Sequence, residues 1–146
     1  MIVYLDSSVL ARAYLNDEIG HDQAVSLLEN QEIGLITGTW TRIEVSGALI
    51  RAARAGRGDE KGLLELLEFD LAQDGPVTVI AADQAQVEEH ALRLVRGHAI
   101  RAMYAWHLAV AALTLPDLLE PGEEAGFATR DKHQAVLAES LGLIVV

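Results

Sequence analysis

Short apolar segments alternate along the chain with longer segments in which apolar residues recur every three or four positions. The short segments predict β-strands at residues 3–5, 33–37, 77–80, 127–129 and 143–146. The longer segments predict α-helices at residues 7–15, 21–29, 41–55, 59–73, 83–96, 100–115 and 131–141. Alternating strands and helices are typical of an α/β fold with a mostly parallel central sheet flanked by helices. Because no repeat or linker interrupts the pattern, we expect a single domain over residues 1–146.

Composition narrows the class of protein. Apolar residues make up 51% of the chain, which is typical of a globular domain, and cysteine is absent. The absence of cysteine excludes disulfides and thiolate metal sites and suits a reducing compartment. No signal peptide is visible at the N-terminus, and the longest apolar stretch, residues 102–115, is too short to span a bilayer. We therefore expect a cytoplasmic protein without a membrane partner.

The net charge of -11 argues against a protein that coats nucleic acid without specificity. It permits an enzyme with a local basic patch, and it also fits a site where carboxylates gather around a cation. Two acids have positions that suit such a site, since Asp6 and Asp131 each follow a predicted strand. In parallel sheets, ligands bind beyond the carboxyl ends of the strands. We therefore expect these two carboxylates to lie close enough to share one ion.

Each candidate acid also has a purely structural interpretation. Asp6 could cap the following helix, although one of the two serines after it could do so instead. Asp131 could be a first-turn acid that the helix dipole favours. Glu44 has the capping-box spacing with Thr41, yet it also lies in the first turn after a strand and therefore at the same sheet edge.

Carboxylates without cysteine or paired histidines favour a hard cation such as Mg²⁺ or Mn²⁺ over zinc. Such an ion suits phosphodiester hydrolysis, because it positions the phosphate, activates water and stabilises developing charge. Repulsion within the cluster predicts raised carboxyl pKa values in the absence of metal. The five histidines lack ligand-like spacing, so we interpret them as core or surface residues.

Four stretches together carry a family resemblance: YLDSSVL, TRIEVSGAL, IRAMYAWHLAVAAL and ATRDKHQAVLAESLGLIVV. In this order they resemble the PIN-domain family, and more narrowly the VapC-type ribonuclease toxins of bacterial toxin–antitoxin pairs. The resemblance covers essentially the whole chain. It implies a three-layer α/β/α fold, a quartet of acids that binds Mg²⁺ or Mn²⁺, and endonucleolytic cleavage of RNA. It also implies inhibition by a small antitoxin protein and a homodimer.

The resemblance assigns roles to individual residues. Asp6 matches the first acid of the quartet, Glu44 the second and Asp131 the fourth. Ser8 and Thr129 match small hydroxyl residues that support the acids. At the third position the chain departs from the family pattern, because Tyr104 occupies the place of the acid and the predicted helix contains no other. Tyrosine is neutral near pH 7 and is a poor ligand for Mg²⁺.

A basic patch follows the predicted helix that contains Glu44; it consists of Arg51, Arg54, Arg57 and Lys61. It could be a solvated helix end, or it could contact RNA phosphates or an acidic antitoxin tail. The sequence thus predicts a metal-dependent ribonuclease toxin. The alternative is a catalytically weakened PIN domain that acts mainly by binding an antitoxin or RNA, and the absent third acid favours it.

Overall fold

The computed structural model describes residues 1–146 and contains five strands and seven helices. The strands are β1 (Ile2–Leu5), β2 (Gly34–Gly38), β3 (Val77–Ile80), β4 (Ala125–Ala128) and β5 (Ile144–Val145). The helices are α1 (Ser7–Tyr14), α2 (His21–Glu29), α3 (Trp40–Arg54), α4 (Glu60–Asp70), α5 (Gln84–His98), α6 (Ala102–Leu118) and α7 (Lys132–Ser140). Every predicted strand and helix is present, with ends that differ by a few residues.

The five strands form one sheet in the order β3-β2-β1-β4-β5, and every neighbouring pair is parallel. This arrangement confirms the predicted α/β fold. Because all strands run the same way, their carboxyl ends lie at one edge of the sheet, and β1 lies at its centre. The residues that follow β1, β2 and β4 are therefore brought to the same edge, as the sequence predicted.

Each face of the sheet carries its own hydrophobic core. Alternate residues of β1 point to opposite faces, so Val3 and Leu5 pack with helices α1 to α4, whereas Tyr4 packs with helices α5 to α7. Val45 and Leu108 are fully buried examples from the two helical layers. The result is the three-layer α/β/α architecture that the family resemblance implied.

Two helices continue further than predicted at their C-terminal ends. Helix α6 continues through Pro116 to Leu118, so its last turn includes a proline although proline has no N–H to donate. Helix α5 continues through His98 and ends where Ala99 adopts a left-handed conformation with a φ of 53°. No helix of the protein combines the length and apolar character needed to cross a bilayer.

Candidate active site

Asp6 is the first residue after β1 and is only 2% exposed. Its backbone is extended, which places its carboxylate over the first turn of α1. Oδ2 accepts hydrogen bonds from the Ser8 N–H at 3.2 Å and from the Ser8 hydroxyl at 2.5 Å. Of the two alternatives that the sequence left open, the structure therefore selects Asp6, and not a serine, as the cap of the helix. The other oxygen, Oδ1, accepts no hydrogen bond from the protein and lies 3.7 Å from Nε2 of His107.

The start of α3 does not contain the capping box that the sequence allowed. The helix begins at Trp40, one residue earlier than predicted, and its N-cap residue Thr39 makes no side-chain capping bond. Thr41 is buried, and its hydroxyl instead lies 2.6 Å from the hydroxyl of Thr37. The side chain of Glu44 is thereby released from the helix end and is available for other partners.

Glu44 points toward residues that follow β1 and lie on α6. Its Oε2 accepts a hydrogen bond from the Ser7 hydroxyl at 2.6 Å and lies 2.6 Å from Nε2 of His107. The Ser7 hydroxyl is also 3.1 Å from the same histidine nitrogen. Glu44 and Asp6 therefore both approach His107 Nε2, so two of the three predicted acids converge at the carboxyl edge of the sheet.

His107 is the residue that the sequence analysis missed. It is 1% exposed, and both ring nitrogens have polar partners, with Nδ1 2.9 Å from the hydroxyl of Tyr4. Its interpretation as an ordinary core or surface histidine is incomplete, because it is buried and contacts a candidate catalytic acid. One sequence signal could have identified it. A histidine inside the apolar stretch of α6 must find polar partners when it is buried.

These contacts determine the ionisation of Glu44. Burial disfavours the charged carboxylate, but the hydrogen bonds from His107 and Ser7 outweigh burial, so the pKa of Glu44 lies below its ordinary value. The expectation of a pKa raised by repulsion is therefore wrong for this acid. Hydrogen-bond donors, and not other carboxylates, are its nearest neighbours.

The lowered pKa predicts a pH-dependent contribution to stability. In metal-free protein, ionised Glu44 stabilises the fold above its unfolded-state pKa of about 4.3, and this contribution disappears as the pH falls through the lower folded-state pKa. At pH 7, Glu44→Gln should lower the free energy of unfolding by about 1 kcal/mol, because charged hydrogen bonds exceed neutral ones by about that amount. Urea unfolding at pH 7 and pH 3 measures the difference, which should shrink at pH 3. An unchanged difference would contradict this account of Glu44.

Asp131 forms a second polar corner after β4. Its Oδ1 accepts a hydrogen bond from the Gln134 N–H at 2.8 Å, so Asp131 is the N-cap residue of α7 and lies one position before the first turn, where its structural interpretation had placed it. The Asp131 N–H donates to Thr129 Oγ1 at 3.1 Å, and the Thr129 hydroxyl donates to Gln134 Oε1 at 2.5 Å. Thr129 therefore supports the Asp131 loop. The Gln134 amide also donates to the backbone oxygen of Tyr104 at 3.2 Å, which connects this corner to α6.

Tyr104 lies on α6, one helical turn before His107. Its side chain is half-buried and packs against the core that α5, α6 and α7 share. No acidic side chain lies on this helix before Asp117. The position that the resemblance assigns to a third acid is therefore occupied by a tyrosine, whose backbone oxygen contacts the Asp131 corner through Gln134.

The carboxylates have the donor chemistry of a site for a hydrated hard cation. Each of the three acids accepts its hydrogen bonds through one oxygen, which leaves Oδ1 of Asp6, Oε1 of Glu44 and Oδ2 of Asp131 without a protein donor. No three acidic or histidine side chains form a ready-made metal cage. Mg²⁺ commonly binds one or two carboxylates and keeps several waters, so such a cage is not required. Sharing of one ion by Asp6 and Asp131 stays a prediction.

The basic patch does not act as a unit in the structure. Arg57 forms ion pairs with Asp17 and Glu18, and Lys61 lies 3.7 Å from Glu65. Arg54 is exposed and forms no ion pair within the chain. Arg51 is the member nearest the acids, because it lines a groove together with Ser7, Ser8 and Glu44.

Comparison with known proteins agrees with this architecture. The model of the PIN domain family matches residues 3–140. The chain is similar to one in the crystal structure of VapBC2 from Rickettsia felis bound to a DNA fragment from their promoter. The identity is 12% and the TM-score 0.63, over 100% of this chain and 98% of that one. It is also similar to a chain of VapBC-1 from nontypeable Haemophilus influenzae, with 18% identity and a TM-score of 0.58, over 100% and 97% of the chains. No curated protein sequence matches.

Proposed function

The chain belongs to the PIN domain family, and from this premise we propose that it is a metal-dependent endoribonuclease, the toxin of a VapBC-type toxin–antitoxin pair. The observation that carries the proposal is the approach of Asp6 and Glu44 to His107 Nε2, at 3.7 and 2.6 Å, at the carboxyl edge of the parallel sheet. Neighbouring carboxylates with an oxygen free of protein donors suit a divalent cation. The names of both similar structures, which are VapBC complexes, agree with the toxin assignment.

In this proposal Asp6, Glu44 and Asp131 are the residues that would hold Mg²⁺ or Mn²⁺. When bound, such an ion would supply an electrophile for the phosphate and an acidified water. Ser8 holds Asp6, and Thr129 holds the Asp131 loop, so the side chains that carry charge are oriented before any ion binds. This preorganisation reduces the entropic cost of assembling the site on the substrate.

The groove beside Glu44 provides a route for RNA. Ser8, Glu44 and Arg51 line it, so a phosphate there would meet a cation within reach of the acids. A guanidinium binds phosphate oxygens through paired hydrogen bonds. We propose Arg51 as the principal RNA contact of the basic patch. Arg54 is a secondary contact, whereas Arg57 and Lys61 are already engaged with acids.

The proposal predicts a metal requirement in a direct assay. The purified chain should cleave single-stranded RNA slowly in millimolar Mn²⁺, more slowly in Mg²⁺, and not at all in excess EDTA. The preference for Mn²⁺ and the slow rate are expected because one carboxylate of the quartet is absent. Cleavage products separated on denaturing gels measure the rates. Cleavage that persists in EDTA after extensive chelation would contradict metal dependence.

The alternative proposal, a weakened PIN domain that mainly binds an antitoxin or RNA, rests on the aromatic ring at position 104. The two functions differ in cells. Expression of the nuclease without its partner should stop growth, and Asp6→Asn should relieve the arrest. A binding module should leave growth unaffected, or should arrest growth equally with and without Asp6→Asn, because binding does not need the ion.

We also propose that the protein acts in the cytoplasm as a homodimer and binds a small antitoxin. Apolar side chains are left exposed on α3 and α4: Ile43 is 65%, Leu66 52% and Phe69 71% exposed. Self-association that buries these side chains would remove apolar surface from water and would therefore be favoured. Light scattering of the purified chain should give about twice the mass of the 15.8 kDa monomer. The monomer mass at working concentrations would reject the dimer.

A further inference from the structure

Both ring nitrogens of His107 take part in one buried chain of hydrogen bonds. The chain begins at the Gly38 N–H, which donates to the Tyr4 hydroxyl at 3.0 Å. It continues to His107 Nδ1 at 2.9 Å and leaves the ring through Nε2 to Glu44 Oε2 at 2.6 Å. Tyr4 and His107 are both essentially inaccessible to solvent, so no water competes for these contacts.

The chain of hydrogen bonds determines which ring nitrogen carries the proton. Tyr4 already accepts from the Gly38 N–H, and burial raises the pKa of its hydroxyl, so the hydroxyl is protonated and donates to His107 Nδ1. In a neutral imidazole, one ring nitrogen carries a hydrogen and the other does not, so if Nδ1 accepts a hydrogen bond, Nε2 is the donor. Nε2 therefore carries the hydrogen and donates toward Glu44. The proton positions follow from the hydrogen-bond network as a whole.

The packing admits little rearrangement of this chain. A Cβ atom at position 38 would lie 2.8 Å from the Tyr4 hydroxyl oxygen and 2.7 Å from the ring of Trp106, so the backbone approaches Tyr4 as closely as glycine allows. The Trp106 ring also packs edge-on against His107, with centroids 5.2 Å apart. The imidazole is therefore held from both sides in the orientation that points Nε2 at Glu44.

Two donors meet the same carboxylate oxygen. The Ser7 hydroxyl and His107 Nε2 both bind Oε2 of Glu44, and Oε1 accepts no hydrogen bond from the protein. The carboxylate is thus fixed through one oxygen and free at the other. A side chain that is 29% exposed and lies at the end of three rotatable bonds would otherwise sample several orientations.

We propose that Tyr4 and His107 are positioning residues that hold the Glu44 carboxylate with Oε1 presented as its ion-binding oxygen. This inference rests on the nuclease function proposed above. Its physical basis is the same as that of outer hydrogen-bond partners in known metal sites, whose loss typically weakens metal affinity or activity about 10- to 100-fold. In this chain the loss of metal affinity should be large, because the third carboxylate is absent and each remaining carboxylate contributes more to ion binding.

Matched amide variants test the proposal. In His107→Gln, the amide nitrogen can occupy the position of Nε2 and donate to Glu44. In His107→Asn, the shorter side chain reaches only the position of Nδ1. It can therefore still accept a hydrogen bond from the Tyr4 hydroxyl, but it cannot donate one to Glu44. Both variants replace imidazole by a neutral amide, so their comparison separates the bond to Glu44 from the presence of a polar group in the core.

The measurements are Mn²⁺ affinity from the electron paramagnetic resonance signal of free Mn²⁺, kcat and KM for a single-stranded RNA, and the thermal midpoint. We expect His107→Asn to bind Mn²⁺ about tenfold more weakly than His107→Gln and to have a lower kcat with similar KM. Tyr4→Phe, which removes the donor to Nδ1, should weaken Mn²⁺ binding in the same direction. Equal Mn²⁺ affinities and kcat values for the Gln and Asn variants would overturn the proposal.

The experiment distinguishes a variant that fails to fold from failure of the positioning role and from failure of the proposed nuclease function. If both histidine variants unfold, Tyr4→Phe decides the matter, and native Mn²⁺ affinity in that variant rejects the positioning role. Asp6→Asn serves as the reference for the function itself. If Asp6→Asn abolishes cleavage while the histidine pair behaves alike, the nuclease stands and the positioning role falls. If Asp6→Asn cleaves as the native chain does, the proposed nuclease site falls, and the positioning role falls with it.

Discussion

Asp6→Asn is expected to reduce RNA cleavage at least about a hundredfold and to remove most Mn²⁺ binding, while the fold survives. Asp6 is the acid with the strongest case for an ion ligand, because it is buried at the centre of the sheet edge and its Oδ1 has no protein donor. An amide oxygen is a weaker ligand for a hard cation than a carboxylate, so the loss of one charge should dominate.

The substitution is designed to spare the helix that Asp6 caps. Asparagine is about as good an N-cap residue as aspartate, so the acceptor for the Ser8 N–H is kept and α1 should persist. A matched control is Asp59→Asn, which makes the same exchange at the exposed cap of α4, where Asp59 accepts from Gly62. The control should retain cleavage and Mn²⁺ affinity. Native-like Mn²⁺ affinity in Asp6→Asn would contradict the proposed ion site.

Tyr104→Asp is expected to strengthen Mn²⁺ binding and to speed cleavage. Position 104 lies next to the Asp131 corner, since its backbone oxygen accepts from Gln134, whose N–H binds Asp131. Two unit charges about 4 Å apart interact by roughly 4 kcal/mol at an effective dielectric near 20, so an added carboxylate beside a divalent ion would gain at least that much before any cost is counted. Desolvation and repulsion from the other acids cancel much of that gain. A net change of about 1–3 kcal/mol remains, which corresponds to roughly five- to hundredfold in affinity.

Tyr104→Asn separates charge from size in this experiment. Both variants remove the half-buried ring from the core around α6, so both should lose a similar amount of stability, about 1–3 kcal/mol. Only the aspartate adds a charge. Mn²⁺ affinity and cleavage rate are compared among the native chain and the two variants. If the Asp and Asn variants behave alike, the absent charge does not limit this site.

The local pattern predicted most of the architecture. Short apolar segments form strands, and segments with apolar residues every third or fourth position form helices. These spacings can be recognised from the sequence because they involve only residues within a short window of the chain. The parallel sheet followed from the alternation of strands and helices. Because all strands of the sheet run in the same direction, their carboxyl ends lie at one edge. Asp6 and Asp131 follow strand ends, and Glu44 lies in the helix that follows another, so all three belong to that edge.

Hydrogen-bond partners were predicted less well. Glu44 was assigned either a cap or a site role, and the structure places its carboxylate on Ser7 and His107, which are 37 and 63 residues away in sequence. The sequence left open whether Asp6 or a serine caps α1, and the structure selects Asp6, because its extended backbone directs the carboxylate toward Ser8. Arg57, which the sequence grouped with a basic patch, instead pairs with acids in the loop between α1 and α2.

The sequence by itself determined the fold class, the order of elements and the sheet edge that Asp6, Glu44 and Asp131 follow. These depend on patterns within about one helix or strand, where residues near in sequence are also near in space. The tertiary structure alone decided that His107 and Tyr4 bind Glu44, that one carboxylate oxygen is held while the other is free, and that the pKa of Glu44 is lowered. These depend on distances of a few ångströms between separate elements, and packing sets such distances only when the layers close on the sheet.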